Sequence, residues 1–352
     1  MDRSRALWSI SAVMAISLLL AACAPEDDEA PEEDVAVGEV DDEDATPIRI
    51  AHCVSQTHSF HLAAEYLGER LDELAPGAFE LQLFPDCELG DEVTLFDLYP
   101  TDDVEMTIQY SSSAASVAQP MGFLAIPFQL DDHDHWERVM LDPATTDLLD
   151  EKLEDAGVNF RIGSTGSFGV RNIYSIDPID TSSLEGFEGL RMRETESPIM
   201  IEVWEAVGIN PVAIPFPELY SALESGVVEA APNTPVGYDL GSHYEVAPHY
   251  HFTEHEATSS FIFVRENWYS ELPADLQDAL DQAFLETNDF WNETNLEHNQ
   301  EVLDQFDELG VTAHDVPQEV RDEIAAIVAP ILERAAEDFD MEDYLELVDA
   351  AR

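Results

Sequence analysis

The sequence predicts an α/β fold of two lobes, with one long helix that spans both. Short apolar strands alternate with amphipathic helices along most of the chain, which is typical of a sheet with crossover connections. About 305 residues follow an acidic N-terminal segment, enough for two lobes with cores of their own. The stretch from Pro273 to Leu309 has no internal proline or glycine, so it predicts one helix of about 55 Å.

The first lobe is predicted to hold one helix and four strands. Apolar residues at helical spacing between Phe60 and Leu74 indicate the helix. Short apolar or alternating runs indicate strands at 48–51, 79–84, 106–110 and 160–163.

The second lobe is predicted to begin near Gly169, and residues 190–193 indicate a strand. Ser197 as N-cap and Pro198 in the first turn then predict a helix that ends at Gly208. Two more elements follow, a helix over 217–224 before Gly226 and a strand over 259–264. The predicted domain bounds are 1–22 for a signal peptide, 23–47 for a lipidated acidic tether, 48–168 with 259–298 for lobe I, and 169–258 with 299–352 for lobe II.

The N-terminus resembles an export signal. Arg3 and Arg5 precede an apolar run over 7–20, which is too short to predict a membrane span. The Leu-Ala-Ala-Cys that ends at Cys23 resembles the lipobox of a bacterial lipoprotein, so we expect lipid attachment at Cys23 and an extracytoplasmic, membrane-tethered protein. The alternative is an ordinary cleaved signal with an incidental cysteine.

The charge balance is extremely acidic. The chain has 14 Lys and Arg against 76 Asp and Glu, a formal net charge of −62. Such a surface excludes nucleic acid as a partner, because phosphates would be repelled. Since the acids are spread over the whole chain, they favour adaptation to high salt, which screens this repulsion. An acidic protein from an ordinary environment is the alternative.

Two cysteines remain if Cys23 carries a lipid. Cys53 and Cys87 each follow a predicted strand, and an exported protein is able to pair them. The sequence leaves two alternatives open, a disulfide or two free buried thiols.

The few cations are the sharpest indication of a binding site. Arg161, Arg171, Arg191 and Arg193 lie in one short stretch of a chain that has few other basic residues. Arginine offers a planar fork for a carboxylate and stays charged when buried. Residues 191 and 193 share one face of a strand. These arginines indicate either an anion site or ion pairs with surface acids.

Four short segments carry a family resemblance, namely Gly-Leu-Arg-Met-Arg at 189–193, Val-Gly-Ile-Asn-Pro at 207–211, Pro-Phe-Pro-Glu-Leu-Tyr-Ser-Ala-Leu at 215–223 and Gly-Val-Val-Glu at 226–229. Together they resemble the solute-binding proteins of TRAP transporters, the DctP-type family. Weaker agreement, including Ile-Pro-Phe at 126–128 and His-Tyr-Glu-Val at 243–246, extends it over 48–310.

This resemblance implies a periplasmic-binding-protein-like fold that closes on a small organic acid and delivers it to a sodium-driven permease. It implies that Arg193 clamps the carboxylate, with Arg171 as a second arginine, Asn233 as an amide partner and Phe216 as an aromatic neighbour. First-lobe contacts are implied at Cys53, Glu92 and Tyr110. A monomer without a cofactor or resident metal is expected.

The sequence departs from the family pattern beside this site. Glu-Ala-Ala-Pro at 229–232 replaces the usual acidic-Gly-Gln-Glu, and Pro232 removes a backbone donor. Asn-Thr-Pro at 233–235 with Tyr238 resembles a branch associated with sugar acids. The ligand therefore stays open between a sugar acid and a dicarboxylate.

The histidines and the missing catalytic motifs bear on two other classes of function. A metal-scavenging binding lipoprotein is the alternative, because the paired histidines at spacings of two are able to ligate a metal from one strand face; they are His133 with His135, and His249 with His251 and nearby His255. An enzyme is not expected, since no nucleophile elbow, dinucleotide loop, phosphate loop or metalloprotease helix is present.

Overall fold

The computed structural model describes residues 45–195 and 197–352, and its elements confirm the predicted α/β class. The signal segment, Cys23 and most of the predicted tether lie outside these residues. The strands are β1 Thr46–Ala51, β2 Phe79–Phe84, β3 Met106–Tyr110, β4 Phe160–Ser175, β5 Arg191–Glu194, β6 Asn210–Ala213, β7 Ala230–Asn233, β8 His249–Arg265 and β9 Thr312–Asp315.

The helices connect these strands and cover the sheet. They are α1 Ser59–Leu74, α2 Ser111–Ala114, α3 His133–Met140, α4 Pro143–Asp155, α5 Pro198–Val207, α6 Phe216–Glu224, α7 Pro235–Leu240, α8 Glu266–Glu271, α9 Ala274–Asp304, α10 Phe306–Leu309, α11 Gln318–Phe339 and α12 Glu342–Ala350. Short 3-10 turns occupy Thr94–Leu98, Gln119–Ala125, Leu184–Phe187 and His243–Glu245.

The sheet has two parallel sets of strands on either side of a long antiparallel pair. Its order is β2-β1-β3-β8-β4-β7-β5-β6, and β9 also pairs with β8. β4 and β8 run antiparallel to each other over nearly their whole lengths. β3 joins the C-terminal half of β8, whereas β7 joins the C-terminal end of β4, so the two sets lie at opposite ends of the pair.

The long pair was only partly predicted. Residues 160–163 and 259–264 were expected as short strands, but β4 has 16 residues and β8 has 17. Their pairing shifts register at Ile162/Ser164, Ser167/Gly169 and Arg171/Ile173. Such irregularities interrupt the ladder and bend the strands where they pass from one set to the other.

Apolar side chains fill both faces of the sheet. One cluster packs α3, α4, α5, α11 and α12 on one face, with Trp136 and Trp204 buried in it. The other packs α1, α6, α7 and α9 on the opposite face, around Phe60, Trp291 and Tyr238. Helices on both faces are what crossover connections between parallel strands require.

Asparagines of α9 bind the free edge of β4. The Thr165 and Ser167 amides donate to the side chains of Asn288 and Asn292, at 2.8 and 2.6 Å. The amide of Asn292 also donates to the Thr165 carbonyl at 3.3 Å. Because β7 reaches only residues 172–175 of β4, these amides satisfy backbone groups that have no neighbouring strand.

Two further asparagines connect this edge to other elements. Asn295 donates to the Ser167 carbonyl and accepts from the Ser59 hydroxyl of α1 at 3.2 Å. Asn299 donates to the Phe168 carbonyl and accepts from the Val236 amide of α7, both at 3.3 Å. We call Asn288, Asn292, Asn295 and Asn299 the asparagine ladder. Helix α9 therefore contacts elements attached to both parallel sets of strands.

One local prediction was wrong, and the predicted N-cap of α5 was confirmed in position. The predicted helix from Pro273 to Leu309 breaks at Gln305, where a tight turn lets Phe306 pack on Tyr250 with ring centroids 5.0 Å apart. Ser197 stands at the N-cap position of α5, but its side chain makes no capping hydrogen bond. It lines a cavity instead.

Asn292→Ala should lower the free energy of unfolding by about 2–3 kcal/mol, because it leaves two backbone groups of β4 without partners. Urea denaturation followed by circular dichroism measures this change. Gln300→Ala, at an exposed position of the same helix, is the control and should change stability by less than about 0.5 kcal/mol. Equal stability of the two variants would contradict the role given to the ladder.

Candidate ligand-binding site

The candidate site lies where the carboxyl ends of both parallel sets meet. Cys53 follows β1, Tyr110 ends β3, Arg193 lies in β5, Asn233 ends β7 and Phe216 follows β6. Ligands of open α/β sheets bind in crevices at the carboxyl ends of strands, because the connecting loops diverge there.

A cavity of about 180 Å³ occupies this position. All seven residues that the sequence indicated for ligand contact line it, namely Cys53, Glu92, Tyr110, Arg171, Arg193, Phe216 and Asn233. The structure thus brings together residues that lie up to 180 positions apart along the chain, since 233 minus 53 is 180.

Arg193 is buried, and no carboxylate among the described residues forms an ion pair with it. Its side chain is 4% exposed, and its Nε donates to the Ile214 carbonyl at 2.8 Å. Every other lysine or arginine among residues 45–195 and 197–352, except the exposed Arg138, has a carboxylate within 4 Å. Burial lowers the pKa of Arg193, and Arg171 lowers it further. The site therefore presents a desolvated guanidinium.

Arg171 carries its own partner. Its Nε lies 3.7 Å from Glu256 Oε2 on the neighbouring strand β8, and both side chains are buried. Burial alone would lower the pKa of Arg171, but Glu256 and Glu194 together raise it. Burial raises the pKa of Glu256 to about 7, with Arg171 opposing the shift. Glu256 is therefore close to taking up a proton at neutral pH, which would remove the negative charge of the pair.

Asn233 is oriented as a donor. Its Oδ1 accepts from the Thr234 amide at 2.9 Å, which leaves its Nδ2 as the polar group available to the cavity. Gly237 lies against this side chain, and a Cβ there would overlap it. Pro232, the departure from the family pattern, still pairs with Ile173 in register, so β7 keeps a regular course up to Asn233.

The cavity wall also carries an acidic group. Glu92 accepts from the Ser113 hydroxyl at 3.0 Å, and burial raises its pKa despite Arg193 and Arg171 nearby. Burial also raises the pKa of Tyr110 well above its ordinary value. The neutral phenol and the acidic side chain suit hydroxyl groups better than a second anion.

A larger cavity of about 490 Å³ adjoins this one. The two share Cys53, Glu92, Ser112, Arg193, Thr195 and Phe216. Cys53 and Cys87 are joined by a disulfide, and both line the larger cavity. The disulfide thus ties the loop after β1 to the loop after β2 beside the site.

Comparison with known proteins assigns the family. The family model described as bacterial extracellular solute-binding protein, family 7 (DctP) matches residues 50–338. The chain belongs to this family. The DctP family consists of binding proteins of TRAP transporters that act outside the cytoplasm, as the sequence predicted.

Two relatives and one solved structure align with most of this DctP-family chain. A solute-binding protein of Sulfitobacter sp. (strain NAS-14.1) is 29% identical over 87% of this chain and 91% of its own. The 2,3-diketo-L-gulonate-binding periplasmic protein of Escherichia coli K12 is 26% identical over 76% of this chain and 80% of its own. A solved TRAP periplasmic solute-binding protein from Sulfitobacter, with bound α-D-taluronate, has a TM-score of 0.79 and 25% identity over 88% of this chain and 98% of its own.

Sequence reasoning missed several residues that line the smaller cavity of this DctP-family protein. They include His58, Ser112, Phe168 and Thr195. Thr195 directly follows β5 and Ser112 lies two residues after β3, so the position near a strand end is a signal that the sequence could have provided. His58 and Phe168 carried none, because a histidine before a helix and a phenylalanine in a strand are ordinary structural residues.

The other two arginines of the cluster that the sequence indicated form ion pairs outside the cavity. Arg191 is exposed and pairs with Glu229, and Arg161 pairs with Asp150. Of the four clustered arginines, two therefore line the cavity and two form ion pairs near the surface. Glu194 lies in the interior and accepts from Trp204 Nε1 at 2.8 Å, so it does not line either cavity.

The rings of His249, His251 and His314 lie together, but the histidines of the described residues form no site with three metal ligands. His249 Nδ1 lies 3.1 Å from His314 Nε2, His255 bonds to Thr253, and His135 contacts the Val348 carbonyl. Within the described ranges, no group of three or more potential metal ligands is found, and no helix is long and apolar enough to cross a membrane. The comparisons support solute binding over metal scavenging.

Proposed function

We propose that this protein captures a sugar acid of the hexuronate or aldonate class and delivers it to a sodium-driven TRAP permease. The observation that carries the proposal is the buried guanidinium of Arg193, which has no carboxylate partner among the described residues. A buried charge without a partner is costly, and a ligand carboxylate supplies the partner.

The cavity chemistry favours a hydroxylated monoacid. Arg193 receives the carboxylate, with Arg171 reinforcing the positive potential, and Asn233 Nδ2 donates to a further oxygen. Glu92 accepts from hydroxyl groups and disfavours a second anion, while Phe216 covers an apolar sugar face. Cys53 and Tyr110 complete the first-lobe wall. The sugar acids named for two relatives, 2,3-diketo-L-gulonate and α-D-taluronate, belong to this chemical class.

Lobe closure is the second part of the proposal. We assign lobe I to residues 48–168 with 259–298 and lobe II to 169–258 with 299–352. The register shift at Ser167/Gly169 then lies at the crossing between them. Closure around the ligand excludes water from the Arg193 contact and strengthens it. A bound-state crystal structure without relative lobe movement would contradict this part.

The protein is proposed to act as a lipid-anchored monomer without turning over its ligand. Lipid attachment at Cys23 predicts that Cys23→Ala abolishes labelling by a fatty-acid analogue and releases the protein from the membrane fraction.

High-salt adaptation predicts a melting temperature that rises from low to molar salt, as screening reduces repulsion among 76 acids. Sedimentation as a single species of monomer mass tests the monomeric state. Recovery of unchanged ligand after incubation with the protein tests the absence of turnover.

Arg193→Gln should abolish the thermal shift given by D-glucuronate, D-taluronate or 2,3-diketo-L-gulonate, with affinity falling at least about 100-fold. Calorimetry measures the affinity in high salt. Arg138→Gln is the matched control, because Arg138 is exposed and also makes no ion pair within the described ranges. Full binding by Arg193→Gln would contradict the proposed function.

Ligand binding should take up protons near neutral pH. Burial raises the pKa of Glu92, and that of Glu256 to about 7, so both bind protons more readily than exposed carboxyls. A bound anion raises both pKa values further, so affinity should fall as pH rises from about 6 to about 8. Calorimetry in two buffers of different ionisation enthalpy measures the uptake.

Glu256→Gln should reduce this proton uptake, since it removes the carboxyl group whose pKa lies at about 7. Glu254→Gln is the control, because Glu254 lies outside both cavities on the same strand. Affinity independent of pH, with no proton exchanged, would contradict the coupling.

A further inference from the structure

His58 is a buried side chain of the cavity that the proposed function leaves without a role. It precedes α1, is 1% exposed and lines the 180 Å³ cavity. Its ring stacks on Phe168, another lining residue, with centroids 5.0 Å apart and an interplanar angle of 16°. These contacts fix the plane of the ring.

The tautomer of His58 follows from its cap bond. Its Nδ1 accepts from the Phe60 amide at 3.0 Å, so Nδ1 carries a lone pair and the proton resides on Nε2. Burial lowers the pKa of His58 to about 3, so the ring is neutral at physiological pH. Nε2 is therefore a fixed, uncharged N–H donor.

This donor has no acceptor within the described part of the chain. Nε2 is buried, and no hydrogen-bond partner lies within reach. Neighbouring histidines do not supply one, because His52 Nε2 is paired with His61 Nδ1 at 3.0 Å. A buried donor without an acceptor costs about 1–3 kcal/mol, which a ligand oxygen would recover.

We propose that His58 Nε2 donates to a neutral oxygen of the ligand, a hydroxyl or ring oxygen distant from the carboxylate. Arg193 lies on β5 and takes the carboxylate, whereas His58 precedes α1 on the other parallel set of strands. The inference rests on the proposed function, because it concerns the same site.

His58 and Glu92 together then select the ligand class. A hydroxyl group is able to accept from His58 and donate to Glu92, so one group satisfies both residues. A second carboxylate has no hydrogen to donate to Glu92, and the two acidic groups come together only if Glu92 takes up a proton. The pair therefore discriminates polyhydroxylated monoacids from simple dicarboxylates such as succinate.

The test is His58→Asn, because asparagine keeps a side-chain oxygen that caps α1 but lacks a donor at the Nε2 position. The probe is whichever of D-glucuronate, D-taluronate and 2,3-diketo-L-gulonate binds the wild-type protein most tightly. We expect its affinity to fall about tenfold, with the succinate affinity changed less than twofold and the melting temperature nearly unchanged.

Deoxy analogues of the same probe identify the acceptor. Removing the accepting hydroxyl should cost less affinity for His58→Asn than for the wild-type protein, because only the contact with Glu92 is then left to lose; a double-mutant cycle measures the difference. If every analogue loses affinity equally for both proteins, or His58→Asn binds the probe normally, the inference is overturned. The proposed function survives that outcome when Arg193→Gln abolishes binding.

Nitrogen NMR of histidine-labelled wild-type protein gives an independent measurement that needs no variant. We expect the His58 Nε2 proton signal to shift downfield when the probe binds, with Nδ1 unprotonated before and after. A proton on Nδ1, or an Nε2 signal unchanged at saturation, would overturn the inference.

Discussion

The antiparallel pairing of β4 with β8 is the constraint on which the rest of the structure depends. These two strands are the connection between the parallel sets, and both sets take their position from them. Because β3 and β7 attach at opposite ends, the carboxyl ends of the two sets face each other across the pair. Arg171 and Glu256 lie opposite one another on β4 and β8, so the strands also carry charge into the site.

The rarity of cations without a carboxylate partner explains why the site is recognisable in so acidic a chain. Carboxylates are abundant, and nearly every cation in the described ranges has one as a partner. Arg193 escapes this because β5 carries it into the interior, where its backbone-carbonyl contact leaves the guanidinium available. Carbonyl partners orient the group without cancelling its charge, which is what an anion receptor requires.

Much of the fold was predictable from local pattern, and the site was predictable mainly through family resemblance. Periodicity located β2 and β3 with their observed bounds and placed α1 within one residue. The seven indicated residues share one cavity, although contact with a ligand stays a prediction. Composition could not separate Arg171 and Arg193 from Arg161 and Arg191, because only the folded chain decides which arginines reach the cavity.

What the sequence could not show depends on contacts between distant segments. The break at Gln305 has no glycine or proline to mark it and follows from the packing of Phe306. The role of His58 depends on an absent partner, which no local pattern encodes.

The asparagine ladder has a consequence for how the fold responds to salt. Uncharged amides secure the central strand, and they neither titrate nor attract counter-ions. A change in ionic strength alters the repulsion among the acidic side chains while leaving these bonds untouched. The attachment of β4 to α9 should therefore be the part of the fold whose stability depends least on the salt concentration.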